Sequence, residues 1–134
     1  MKKFIIHSDG GSRNNPGEAA IGVVIATPEG EIVETISRRL GIATNNQAEY
    51  AGVIAGLERA KELGAEEVEC VLDSELVVKQ LRREYKVKHP DLAPLFIKMH
   101  NLSTFFKKVT YTHVRREENK EADLLVNEAL DAEV

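Results

Sequence analysis

One cysteine, no apolar run of membrane length and no excess of basic residues set the outer limits of this 134-residue chain. Cys70, in the run Val68-Glu69-Cys70-Val71-Leu72, has no intrachain partner. A disulfide framework is therefore excluded, and a buried, reduced thiol of a cytoplasmic protein is expected. The stretch Phe4-Ile5-Ile6 that follows Met1-Lys2-Lys3 is too short for a signal peptide, and nothing later approaches a membrane span. No membrane partner is expected. A formal net charge of −4 argues against a polyanion ligand, because a negative field repels phosphates, although two bound divalent cations would cancel it. Linkers and internal repeats are missing too, so residues 1–134 read as a single domain working as a monomer, long enough to bury about two-thirds of its unfolded surface.

What is present alternates between two periodicities. Lys3 to Ser8 reads as a β-branched strand stopping at Asp9, followed by a loop rich in Gly, Asn and Pro. Ala20 to Thr27 and Glu31 to Leu40 read as two more strands around the turn Pro28-Glu29-Gly30, completing an antiparallel meander. Thr44 with Gln47 three residues later is a capping-box pattern opening a helix to about Leu63, where Gly64 ends it. Ala48, Ala51, Gly52, Ala55 and Gly56 give that helix a small-residue side for close approach to a sheet. Glu67 to Leu72 is a fourth strand and Ser74 to about Arg83 a short helix. Tyr85 to Pro94 is an irregular connection, Leu95 to Phe106 a helix, Lys108 to Val114 a fifth strand and Asn119 to Ala132 a terminal helix. The fold class this implies is α/β, a mixed five-stranded sheet made of a three-stranded antiparallel meander plus parallel strands, flanked by helices.

Four acids fall at informative places in this order. Asp9 and Asp73 follow strands, and if those strands are parallel neighbours the two carboxylates lie side by side. Glu49 opens the long helix, and Asp123 lies one turn into the last, at the edge of its core stripe. Asn119, four residues before Asp123, shares its face. Carboxylates gathered in this way repel one another unless cations lie between them, and such oxygen ligands suit Mg²⁺ or Mn²⁺. Taken singly, each acid also fits a turn, a cap or a solvated position. The basic pairs Arg38-Arg39, Arg82-Arg83, Lys107-Lys108 and Arg115-Arg116 fit either solvated faces or a phosphate-tracking patch.

Four segments, in this order along the chain, carry a resemblance. They are Asp9-Gly10-Gly11-Ser12-Arg13-Asn14-Asn15-Pro16-Gly17, Thr44-Asn45-Asn46-Gln47-Ala48-Glu49-Tyr50, Leu72-Asp73-Ser74 and Asn119-Lys120-Glu121-Ala122-Asp123. Together they resemble the signature segments of type 1 ribonuclease H. The resemblance implies the ribonuclease H-like fold and a metal-dependent endonuclease that hydrolyses the RNA strand of an RNA/DNA hybrid by a two-metal mechanism, leaving 5′-phosphate and 3′-hydroxyl ends. Double-stranded RNA is a second candidate partner. It further implies that Asp9, Glu49, Asp73 and Asp123 are the catalytic metal ligands for two Mg²⁺ ions, with Mn²⁺ as a substitute. Gly10, Gly11, Asn15, Thr44, Asn45, Asn46 and Gln47 would contact the substrate, with Ser74 and Asn119 in support.

Two departures from the family accompany the match. The segment Arg115-Arg116-Glu117-Glu118, between the last strand and helix, lacks the histidine some members carry there. The chain also has no tryptophan, and where some members have a basic, Trp-bearing protrusion it has the shorter Arg82-Arg83-Glu84-Tyr85-Lys86-Val87-Lys88. His7, His89, His100 and His113 are read as structural or solvent-facing. Other nucleases of the same fold fit less well, because proofreading types place a Glu two residues after the first Asp and position 11 here is Gly. A non-catalytic hybrid-binding module would be expected to lack one of the acids, and all four are present.

Overall fold

The computed structural model describes residues 2–132. Its elements are β1 (Lys3–Ser12), β2 (Gly17–Ala26), β3 (Ile32–Ala43), α1 (Asn45–Glu62), β4 (Glu67–Leu72), α2 (Glu75–Leu81), α3 (Ala93–Ser103), β5 (Lys108–His113), a 3₁₀ turn (Arg116–Glu118) and α4 (Lys120–Asp131). The strands form one sheet in the order β3-β2-β1-β4-β5. β1, β2 and β3 pair antiparallel, whereas β4 lies parallel to both β1 and β5. The expected mixed sheet with a meander and parallel strands is what forms.

Side-chain alternation divides the strands between two layers. Ile21, Val23 and Ile25 of β2 join Phe4, Ile6, Val53 and Leu57 in the main core beneath α1, while Ala20 packs with Val126, Ala129 and Leu130 of α4. The small-residue side of α1 serves as expected. A Cβ at Gly52 would stand 2.8 Å from the Asp9 carbonyl oxygen, and one at Gly56 would stand 2.8 Å from Ile6 Cγ2. Cys70 is fully buried in the core, and burial pushes its thiol well above the ordinary range. No helix among the described residues is long and apolar enough to cross a membrane.

Several boundaries differ from the sequence reading for local reasons. β1 does not stop at Asp9 but continues to Ser12, because Asp9, Gly10, Gly11 and Ser12 stay paired with Gly22, Ile21, Ala20 and Ala19 of β2. α3 starts at Ala93 and takes Pro94 into its first turn, where a missing N–H costs nothing. α2 is shorter, with Ser74 as its N-cap rather than its first residue. Asn119 stands at the N-cap position of α4, without a side-chain capping bond.

The capping box at Thr44 forms in full. Gln47 N donates to Thr44 Oγ1 at 3.1 Å, and Thr44 N donates to Gln47 Oε1 at 2.9 Å. Thr44→Ala is therefore expected to lower stability by about 1 kcal/mol, near 4 °C in Tm for a chain this size. Urea and thermal unfolding check this, and an unchanged midpoint would contradict it.

Candidate active site

The site is built where β1 and β4 part. Their parallel pairing aligns Lys3 with Glu67 through His7 with Val71. Two residues further along each chain stand Asp9 and Asp73. By then β1 is held by β2 alone and β4 has ended, so a cleft opens between them.

Glu49 reaches the same point from α1. Gly10 makes this approach possible, because a Cβ there would lie 2.1 Å from both the carbonyl carbon and the oxygen of Ala48. Its N–H donates to Asp9 Oδ1 at 2.9 Å and to Glu49 Oε1 at 3.3 Å, tying both carboxylates to one backbone donor. One oxygen each from Asp9, Glu49 and Asp73 lies within 4.8 Å of the others. Asp9 and Glu49 are 6% and 7% exposed, and Asp73 is half-buried.

Asp123 is not in this trio. The sequence places four acids together, but the structure gathers three and sets Asp123 on the wall of the same cleft, about one-third exposed. Its Oδ1 is 3.9 Å from Arg116 Nη2. Asp123 nevertheless acts through its charge, adding to the upward shifts of Asp9 and Asp73.

The cleft, about 510 Å³, is lined by Gly10, Gly11, Asn45, Asn46 and Ser74 beside the four acids. Asn15, Thr44 and Gln47 are not among its lining residues. Thr44 and Gln47 bond to each other's backbone in the capping box, and Asn15 Oδ1 accepts from Asn45 N at 3.0 Å. Asn45 Oδ1 in turn accepts from Ser12 N at 2.8 Å, so the asparagines stitch the end of β1 to the start of α1. Ser74 Oγ caps α2 through Val77 N. Asn119 is 1% exposed and donates from Nδ2 to the Ser8 carbonyl at 2.9 Å.

The sequence reading offers Arg115-Arg116 as a possible phosphate-tracking pair but does not single out Arg13. Arg13 and Arg116 both line the cleft, and Arg13 pairs with Asp131 at the end of α4. Their positions in motif and turn gave no sign that β1 and α4 bring them to the same opening.

Burial first, then Asp73 and Asp123, push the Asp9 carboxyl up to about 6, against the opposing hydrogen bonds with Glu49 and the Gly10 N–H. Burial followed by its neighbours Asp9 and Asp73 raises Glu49 well above the usual carboxylate range. Burial raises Asp73 as well, with Arg116 and Asn119 opposing. Glu49 Oε2 is buried with no hydrogen-bond partner among the described residues. An all-carboxylate donor set with an orphaned oxygen and mutual repulsion fits hard divalent cations.

The repulsion has a measurable cost. A carboxyl whose folded pKa is raised penalises the fold above that pKa, and the penalty fades as pH falls through it toward the unfolded value. For Asp9 the relief runs from about 6 down toward 3.8. Metal-free protein is thus expected to gain stability on this account between pH 7 and pH 5. Glu49→Gln should raise the Tm in EDTA at pH 7, and added Mg²⁺ should narrow its lead by stabilising the wild type. Calorimetry with and without EDTA checks this; a variant melting below wild type in EDTA would contradict it.

A family model described as reverse transcriptase-like matches residues 7–129. The bifunctional protein Rv2228c of Mycobacterium tuberculosis is 47% identical over 131 residues, which are 97% of this chain and 36% of that protein. Ribonuclease HI of Halobacterium salinarum is 46% identical over 123 residues, 92% of this chain and 62% of the relative. The chain thus spans less than two-thirds of either relative's length. Among solved structures, LC11-RNase H1 in complex with an RNA/DNA hybrid matches with a TM-score of 0.92 at 42% identity, covering 96% of each chain.

Proposed function

The chain belongs to the type 1 ribonuclease H family, and on that premise we propose that it hydrolyses the RNA strand of RNA/DNA hybrids as a metal-dependent endonuclease, leaving 5′-phosphate and 3′-hydroxyl ends. The observation that carries this reading is the trio of carboxylate oxygens within 4.8 Å at the floor of an open cleft. Residues 1–134 would act as one ribonuclease H domain, monomeric and cytoplasmic.

In this reading Asp9, Glu49 and Asp73 hold the divalent cations, with Asp123 completing the set from the wall. Two bound Mg²⁺ ions, or Mn²⁺ in their place, would supply the charge that activates the attacking water and stabilises the leaving 3′ oxygen. The protein's own contribution is placement. Gly10 N–H orients two of the carboxylates, and the paired β-strand backbone holds Asp9 rigid. The missing side chain at Gly10 lets α1 bring Glu49 up to Asp9, and the backbone of Gly10 and Gly11 lines the cleft in which a strand of nucleic acid would lie. Glu49 would meet the ribose 2′-hydroxyl, the group that distinguishes RNA from DNA, while Asn45 and Asn46 contact sugar and base edges. Arg13 and Arg116 offset the negative charge at the rim, where the phosphates would pass. LC11-RNase H1, 42% identical, is solved with such a hybrid, which supports the choice of substrate.

The test is cleavage of end-labelled RNA/DNA hybrid, double-stranded RNA, single-stranded RNA and duplex DNA in Mg²⁺ and in Mn²⁺. Preferential cuts within the RNA of the hybrid, with products that a polymerase extends directly, are expected. Inert hybrid in both metals would overturn the proposal.

A further inference from the structure

His7 lies on β1 two residues before Asp9, half-buried, and so faces the same side of the sheet as Asp9. Its Nδ1 is 3.3 Å from Asn119 Oδ1. The orientation of that carboxamide is fixed by its other end, because Nδ2 donates to the Ser8 carbonyl, which can only accept. Oδ1 must therefore face His7, and His7 must present a proton on Nδ1.

Asn119 is also unusual as a helix cap. An asparagine at the N-cap ordinarily turns its side chain back to the first helical N–H groups. Here it makes no such bond and is directed instead across to β1. One buried amide thus links His7 to the backbone next to Asp9, and it also favours the charged form of Asp73. His7 lines a separate recess with Val24, Ala26, Glu121 and Ala122, and is absent from the walls of the catalytic cleft.

We propose that His7 is a positioning residue for the cleavage site: its Nδ1–H locks the Asn119 carboxamide, and the locked carboxamide holds the β1 backbone at Ser8, and with it Asp9, against the start of α4. The proposal rests on the reading of Asp9, Glu49 and Asp73 as cation ligands. A histidine in this role acts at a distance from the substrate, so its loss should reach cation binding and turnover while leaving hybrid binding intact.

Three measurements test it. In metal-free wild type, a long-range ¹H–¹⁵N spectrum at alkaline pH should show neutral His7 as the Nδ1–H tautomer; the Nε2–H tautomer would overturn the proposal. His7→Leu should weaken Mn²⁺ binding by calorimetry about tenfold or more and lower kcat similarly, with KM for hybrid unchanged. His7→Asn, whose amide nitrogen can stand near the Nδ1 position, should restore both. Equal Mn²⁺ affinity and kcat in His7→Leu and wild type would overturn the role of His7, as would failure of His7→Asn to restore what His7→Leu loses. If His7→Leu does not fold, the tautomer in wild type decides. A wild type that binds no Mn²⁺ and cuts no hybrid would instead overturn the functional reading itself.

Discussion

Asp73→Asn is expected to reduce hybrid cleavage by about a thousandfold or more, since a carboxylate that holds a catalytic cation stands behind several kcal/mol of transition-state stabilisation. The substitution keeps size and shape, so a fold defect cannot account for the loss. It also removes one of three mutually repelling carboxylates, so the inactive variant should melt no lower than wild type in EDTA. Asp123→Asn should be milder. Asp123 stands outside the 4.8 Å trio, about one-third exposed and facing Arg116, where water can take over part of its work. Single-turnover cleavage of one hybrid by both variants, in Mg²⁺ and Mn²⁺, gives the comparison. Equal losses would mean that Asp123 moves into the trio when cations bind, and an active Asp73→Asn would remove Asp73 from the ligand set.

How far this site was legible depended on the range of the signal. The start of α1 was fully legible, because Thr44 and Gln47 are three residues apart and the capping box is a local interaction. The adjacency of Asp9 and Asp73 followed from topology once β1 and β4 were taken as parallel neighbours, and the observed register bears that out. The extension of β1 through Gly10, Gly11 and Ser12 was not legible. Those residues have the composition of a loop, and only pairing with β2 keeps them extended. His7 looked like any strand histidine, since its contact with Asn119 spans 112 residues of chain. The separation of Asp123 from the other acids was equally hidden, because helical spacing gives a residue's face on its own helix and not the height of that helix above the sheet.

That height is set by a residue with no side chain, and substituting it should give a large loss of stability. Gly22 lies on β2 directly opposite Asp9 and faces α4. A Cβ there would stand 2.1 Å from the Ala122 carbonyl oxygen, 2.8 Å from Leu125 Cβ and 2.9 Å from Val126 N. Two of these atoms are helix backbone, which cannot rotate away, so α4 must lift off the sheet. Its far end resists: Arg39 donates to the carbonyls of Ala129, Leu130 and Ala132 and anchors the last turn to β3. The helix would pivot rather than translate, displacing Asp123 and pulling on the Asn119–Ser8 hydrogen bond at its N-terminal end, while straining the packing of Val126 and Leu130 on Ala20. Gly22→Ala is therefore expected to cost about 3 kcal/mol or more, the upper part of the range for overpacked sites, and to lower cleavage even at temperatures where the variant is folded. Gly11→Ala is the control for stability. It lies on the same side of the sheet, and its Cβ would sit 3.6 Å from Val126 Cγ1, an ordinary contact. Urea unfolding of the two alanine variants beside wild type checks the difference. If Gly22→Ala proved as stable as Gly11→Ala, α4 would have to sit more loosely on β2 than these contacts allow, and the placement of Asp123 would need another support.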